Sequence, residues 1–257
     1  MRRRRDVARQ RQRLFLDNAG MTTNIDYVGS ELEIFSHATN WKAYWSNAIS
    51  GYLGKSVVDV GAGIGATAQT LKTRHFDRWV ELEPDSEQTK KIRRAQLEGA
   101  IPADYEIVCG ISRDLDPRSL FDTALYIDVL EHIEDDREEL ATISNFVSPG
   151  GHIVIVAPAH NYLYTEFDKK IGHFRRYDRD SLIAIKPANF EVVNTGYLDS
   201  VGMLASVANK FFLKSGTPSL GQVKLWDGFM VPISRLLDKV LMHRLGKSIV
   251  FVLRKAA

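Results

Sequence analysis

Three groups of residues in this sequence have the types and spacing for chemistry. The first is Asp59-Val60-Gly61-Ala62-Gly63-Ile64-Gly65-Ala66, which begins inside the apolar run Ser56–Val60. Glycines at alternate positions permit positive φ and let a ligand come up to the backbone, and a following helix offers unpaired N–H groups. Gly61, Gly63 and Ala66 also satisfy the G-x-G-x-x-G/A spacing of dinucleotide sites. Asp59 argues otherwise: a carboxylate two residues before the first glycine repels a pyrophosphate and attracts an ammonium group. The second group is Glu83, at the end of the next apolar run, placed to accept hydrogen bonds from both hydroxyls of a ribose. Acid, glycine turn and acid together describe a pocket for a nucleoside bearing an amino acid. The third group supplies proton acceptors and cations. His132, His160 and His173 are imidazoles that can exchange a proton near neutrality. Arg175 and Arg176 have forks that match a carboxylate or phosphate, or else pair with Asp168, Asp178 and Asp180 to pin their own loop.

The arrangement resembles the class I S-adenosylmethionine-dependent methyltransferases, and the resemblance continues downstream. Phe121-Asp122-Thr123-Ala124-Leu125-Tyr126-Ile127-Asp128-Val129-Leu130-Glu131-His132-Ile133 is similar to that family's fourth strand and its L-E-H-I continuation. Val147-Ser148-Pro149-Gly150-Gly151-His152 is similar to the turn leading into strand five. The resemblance implies S-adenosylmethionine as cofactor. It places Asp59 toward the methionine amino group, Gly61, Ala62, Gly63 and Gly65 beneath methionine and ribose, Glu83 on the ribose hydroxyls, and Asp128 near the cofactor. Ile111 and Ser112 would lie against the adenine edge. Many relatives carry an aspartate where Ile111 stands, so a hydrogen bond to adenine from this position must come from the backbone.

Asp128-x-x-Glu131-His132 is similar to the E-x-x-E-H of ubiquinone-biosynthesis O-methyltransferases, where the trio looks like a divalent-metal site. Magnesium prefers all-oxygen shells, so the metal question stays open against a capping and packing role. Pro158-Ala159-His160 through Tyr164, followed by Gly172-His173-Phe174-Arg175-Arg176-Tyr177, resembles a bacterial methyltransferase subgroup with P-A-H-x-x-L-Y…G-H-x-R-R-Y. In such a fold this segment walls the substrate mouth, which implies Tyr164, Arg175, Arg176 and Tyr177 as acceptor contacts and His132, His160 and His173 as candidate bases.

Positioning these residues calls for strands alternating with helices. Short apolar runs at Ser56–Val60, Trp79–Leu82, Glu106–Cys109, Thr123–Ile127, His152–Ala157, Glu191–Tyr197 and Ser248–Leu253 read as seven strands. Helical stretches lie between most of them, near 66–73, 86–98, 137–146 and 179–185, with Asp135 and Glu138 as a capping box for the third. The expectation is α/β: a doubly wound, Rossmann-like, seven-stranded and mostly parallel sheet. Apolar residues at alternating spacings of four and three predict one amphipathic helix over Glu31–Leu53, a lid carrying Trp41, Tyr44 and Trp45. Residues 201–247 separate strands six and seven by more than a hairpin and read as a helical insertion. Its apolar positions, Phe211, Phe212, Val231, Ile233, Leu236, Leu237, Val240 and Leu241 among them, are expected to pack mostly on the sheet. Phe211 and Phe212 could also line an acceptor pocket.

Composition narrows the function. The chain has 257 residues, 44% hydrophobic, with Cys109 its single cysteine, which excludes a disulfide framework or a multi-cysteine zinc site. Seven arginines against Asp6 give the first 13 residues +6, leaving −4 on the rest of a chain that totals +2. Residues 1–30 therefore read as a frayed basic arm and residues 31–257 as one mildly acidic domain, which argues against nucleic-acid substrates. No apolar run is long enough to span a membrane, so a cytoplasmic protein is expected, with the arm and insertion leaving room for peripheral membrane contact. The expected reaction is methyl transfer to a small molecule, lipid or glycan, with oxygen as the favoured acceptor. The rivals are a nicotinamide-dependent oxidoreductase, which Asp59 disfavours, and a non-catalytic module on the same fold.

Overall fold

The protein is described by a computed structural model over residues 31–208 and 218–256. The basic arm and the positions of Phe211 and Phe212 lie outside the described residues. Seven strands form one sheet: β1 Ser56–Val60, β2 Arg78–Glu83, β3 Glu106–Cys109, β4 Phe121–Ile127, β5 Val147–Pro158, β6 Phe190–Leu198 and β7 Ser248–Lys255. Their order is β3-β2-β1-β4-β5-β7-β6, and only β7 runs antiparallel to its neighbours. The sheet is thus the expected one, and the apolar runs mark its strands because both faces are covered. Residues alternate strictly between two cores. Val57, Val250 and Val252 face one side, and Val58, Val60, Ile249 and Phe251 face the other.

The chain winds outward from β1 to β3 and then returns to start β4 beside β1. The crevice beyond the carboxyl ends of β1 and β4 is therefore a topological switch point, where such sheets bind ligands. Helices Ala66–Leu71, Ser86–Leu97 and Asp136–Ser144 fill the connections. Asp85 caps the second by accepting from the N–H groups of Glu87 (2.7 Å) and Gln88 (3.2 Å), and Asp135 caps the third through Glu138 N–H at 2.9 Å.

Two features depart from the sequence reading. The N-terminal segment is two helices, Glu31–Phe35 and Thr39–Ile49, followed by a single turn at Ser50–Tyr52. The break at His37 and Ala38 is stabilised from afar. The Asp227 carboxylate accepts from Trp41 N–H (2.8 Å) and Asn40 N–H (3.1 Å), capping a helix whose own N-cap, Ala38, has no side-chain acceptor. The second departure concerns the connection from β6 to β7, which carries Ser200–Ala208, Leu220–Leu225, a wide turn at Trp226–Met230 and Val231–Val240. Leu236, Leu237 and Val240 face outward rather than onto the sheet, while Asp227, Ser234 and Asp238 point inward.

Those inward polar groups are satisfied. Asp238 accepts from Tyr44 Oη (2.8 Å) and from the N–H groups of Asp199 (2.6 Å) and Ser200 (3.1 Å). Asp199 in turn accepts from Trp226 Nε1 and Ser234 Oγ, both at 2.6 Å, and lies 3.4 Å from Lys247 Nζ. Buried carboxylates with several donors each hold the N-terminal helices against the β6–β7 connection.

Candidate active site

A cavity of about 1820 Å³ opens over the carboxyl ends of β1, β2 and β4. Clefts for one small ligand run to roughly 300–1,000 Å³, so this one has room for two molecules side by side. One part of its wall is Gly61–Ile64, Glu83–Asp85 and Gly110–Arg113. Gly61, Gly63 and Gly65 have φ of 68°, 58° and 74°, which explains the glycines. A Cβ on Gly61 would meet Val129 Cγ1 at 2.5 Å, whereas one on Gly63 would make only ordinary contact with Leu32. Gly65 lies behind the turn, where a Cβ would strike Ile101.

Glu83 stands at the end of β2 with both oxygens fixed, Oε2 by Gly63 N–H (2.7 Å) and Oε1 by Asp85 N–H (2.9 Å). Burial, against those bonds, pushes its carboxyl up to about 7. Asp59 is registered against Glu81 on the neighbouring strand, and neither lines the cavity. Burial pushes Asp59 up to about 7, while burial and the nearby Asp59 hold Glu81 well above the usual carboxyl range. Asp59 Oδ2 has no hydrogen-bond partner. Ile111 lines the cavity, but its N–H is taken by Asp114 Oδ2 at 2.9 Å, and the Ser112 hydroxyl donates to Glu139. Tyr126 Oη donates to the same Glu139 oxygen at 2.6 Å. Glu139 is thus a cavity residue that pattern reading passed over, hidden among the polar positions of its helix.

The opposite wall holds Asp128, Glu131, His132, His173 and Arg176. Asp128 takes φ of 54° at the end of β4, and burial pushes its carboxyl up to about 6, against the opposing influence of nearby His173 and Lys247. Glu131 is fully buried with neither oxygen hydrogen-bonded, and burial followed by Asp128 raises its carboxyl well above the usual range. The rings of His132 and His173 meet edge to face at 4.5 Å. Burial, then His173, pushes His132 down to about 3, so it is a neutral imidazole at physiological pH. His173 is held by its Nδ1, 2.9 Å from Asp168 Oδ1, and its Nε2 lies 3.7 Å from Glu131 Oε1. Arg176 braces Asp168 from the other side with a fork of 2.8 and 3.0 Å. Glu131, His132 and His173 each offer one ligand atom, all within 4.8 Å of one another. Asp128, part of the trio that the sequence offered, is absent from that set, and His173, from a loop 45 residues beyond it, takes its place.

Other expected site residues lie elsewhere. His160, at φ of 65°, stacks between Tyr162 and Tyr197 with centroids at 5.1 and 4.7 Å, outside the cavity lining. Arg175 pairs with Asp136 (2.5 Å) and donates to Glu134 O (2.7 Å). Tyr177 is 1% exposed, with its hydroxyl on Asp136 (2.7 Å) and Leu130 O (3.1 Å). Tyr164 donates to His173 O at 2.6 Å. These side chains build the loop that presents His173 and Arg176, and none of them lines the cavity. Lys247, which does, sits 3.8 Å above the Trp226 ring.

Comparison with known proteins supplies the family and the fold. A sequence profile described as a methyltransferase domain matches residues 2–195. The ubiquinone biosynthesis O-methyltransferase of Pectobacterium atrosepticum is 30% identical over 111 residues, covering 43% of this chain and 45% of that protein. The matched part spans less than half the length of the curated relatives. Among solved structures, a SAM-dependent methyltransferase from Archaeoglobus fulgidus superposes with a TM-score of 0.59 at 17% identity, covering 88% of this chain and 97% of that one. Coclaurine N-methyltransferase superposes with a TM-score of 0.57 at 15% identity, covering 92% of this chain and 77% of that one. The two structures share the fold, and the profile match over three quarters of the sequence goes further: the chain belongs to the methyltransferase domain family.

Proposed function

We propose that this protein transfers a methyl group from S-adenosylmethionine to an oxygen atom of a small organic acceptor. One observation carries the reading: a single cavity joins the glycine turn and Glu83 to the corner of Glu131, His132 and His173. The residues fit the cofactor. Positive-φ glycines open the backbone, Glu83 presents a fixed carboxylate, and the buried Asp59 Oδ2 and Gln88 Oε1 have no hydrogen-bond partner. When bound, the cofactor supplies a methyl group activated by a sulfonium.

The chain's own residues do the rest. Glu83 accepts from the ribose hydroxyls, while Gly61, Ala62 and Gly63 pass under the methionine. Ile111 packs on the adenine edge, and with its N–H engaged by Asp114 it offers no donor there. Asp59, buried behind the turn, favours the ammonium group by its charge. Trp41 and Trp45 from the N-terminal helix line the cavity and exclude water from the reacting atoms. His173, oriented by Asp168 through Nδ1, takes the acceptor's proton at Nε2. The curated O-methyltransferase relative supports oxygen as the acceptor atom.

The orphaned oxygens of Glu131 favour a second role for the same corner. Glu131, His132 and His173 would hold a divalent cation, which lowers the pKa of an acceptor hydroxyl. Two imidazoles and one carboxylate suit zinc, manganese or iron better than magnesium. Labelled methyl transfer to a panel of phenols and alcohols tests both roles. His173→Asn should bind cofactor as wild type does and lose roughly 10²–10⁴-fold in turnover at neutral pH, with partial recovery at alkaline pH. Chelation that abolishes turnover, with recovery on adding manganese or zinc, assigns the corner to metal. Wild-type turnover in His173→Asn contradicts the proposal.

A further inference from the structure

The helical run Leu220–Val240 is turned inside out. Its inward face carries Asp227, Val231, Ser234 and Asp238, all buried. Its outward face carries Phe229, Leu236, Leu237 and Val240, with Phe229, Leu236 and Val240 exposed to 63%, 69% and 78%. Positions 229, 236, 237 and 240 fall on one stripe of a helix, and half-buried Ile233 lies on the same line. Met242 and Leu245 continue the exposed apolar surface past the helix end. Single exposed leucines are ordinary on any protein, whereas a stripe of this length marks a surface made for contact.

Charge says what it contacts. Residues 218–247 contain two acids, Asp227 and Asp238, and both are buried and occupied by N–H and hydroxyl donors. The exposed charges of the segment, Lys224, Lys239 and Arg244, are all cationic, and the half-buried Arg235 and Lys247 add two more. An apolar stripe bordered by cations is the pattern of a helix lying in the interface of an anionic bilayer. A second copy of this chain fits less well. A two-fold contact through the stripe would bring its basic border toward the same border, with no exposed acid in the segment to pair with it.

We propose that Leu220–Leu245 is a peripheral membrane-docking surface selective for anionic lipid. The helix lies flat, with Phe229, Leu236 and Val240 entering the headgroup boundary and Lys224, Lys239 and Arg244 at the phosphates. Leu225, Trp226 and Met230 of the same run line the cavity, so docking sets the cavity beside the lipid.

Flotation of the full chain with phosphatidylcholine vesicles, with and without phosphatidylglycerol, tests this. The wild type should float with the anionic vesicles and far less with the neutral ones. The triple variant Phe229→Ser, Leu236→Gln, Val240→Gln alters outward side chains away from the cavity. It should keep its circular dichroism spectrum and melting temperature and lose about tenfold in bound fraction. Lys239→Glu with Arg244→Glu should remove the preference for phosphatidylglycerol. Binding that survives in the triple variant would trace to the basic arm and overturn the proposal, as would a wild type that floats with neither vesicle. A wild-type dimer that the triple variant dissociates, without flotation, would assign the stripe to a second copy and overturn it equally.

Discussion

Glu83 and Asp59 titrate at about 7 because burial disfavours their charged forms. A cationic ligand beside them, with ribose hydroxyls on Glu83, favours the ionised forms and lowers both values. The complex then binds fewer protons than the free protein, so affinity should rise with pH up to about neutrality and level off above it. Calorimetry just below neutral pH, in two buffers of different ionisation enthalpy, should show proton release on binding. An affinity independent of pH would remove these carboxyls from the ligand's surroundings. The places of Gly61, Gly63 and Glu83 on the cavity wall were legible in the sequence because they are local to a strand end, whereas Asp59 and Gly65 stand behind that wall. The place of His160 was not legible. Its reach is set by a φ of 65°, which turns the ring onto Tyr162 and Tyr197. Asp168 was legible in part: its pairing with Arg176 is one of the two readings of that loop in the sequence, whereas its bonds to His173 and Thr165 depend on how the loop folds.

The strands were readable because each is an apolar run covered on both faces, a pattern that depends on few distant residues. The N-terminal break and the inverted helix were not, since both arise from carboxylates bonding across the fold. Asp227 caps Asn40 and Trp41 from 187 and 186 residues away. Its replacement by alanine leaves buried N–H groups without acceptors and should cost roughly 1–3 kcal/mol in urea unfolding. Asp227→Asn should lose less, because one amide oxygen can still accept. Equal stability in Asp227→Ala would mean that the cap is dispensable. The glycine turn gives a contrast within one element. Gly61→Ala meets Val129 at 2.5 Å on top of its positive φ and should destabilise more than Gly63→Ala, whose Cβ has room. Paired thermal melts of the two variants check the order.

At the scale of the whole molecule, the N-terminal helices, the β6–β7 connection and the sheet edge meet around one cavity. Tyr44, Asp199, Trp226, Asp227 and Asp238 tie the first two together, so they should respond as a unit when the cavity fills. Hydrogen exchange in residues 31–53 and 220–240 should slow together on cofactor binding, whereas slowing in only one would show that the ties do not couple them. No helix among the described residues is long and apolar enough to cross a membrane. The central claim is that the glycine turn and Glu83 hold S-adenosylmethionine, and calorimetric titration of the purified full chain tests it most directly. One equivalent of S-adenosylmethionine or S-adenosylhomocysteine should bind per chain, and NAD should not compete. Glu83→Ala should weaken binding by roughly 1–3 kcal/mol. No binding by the wild type, or equal affinity in Glu83→Ala, would contradict the account.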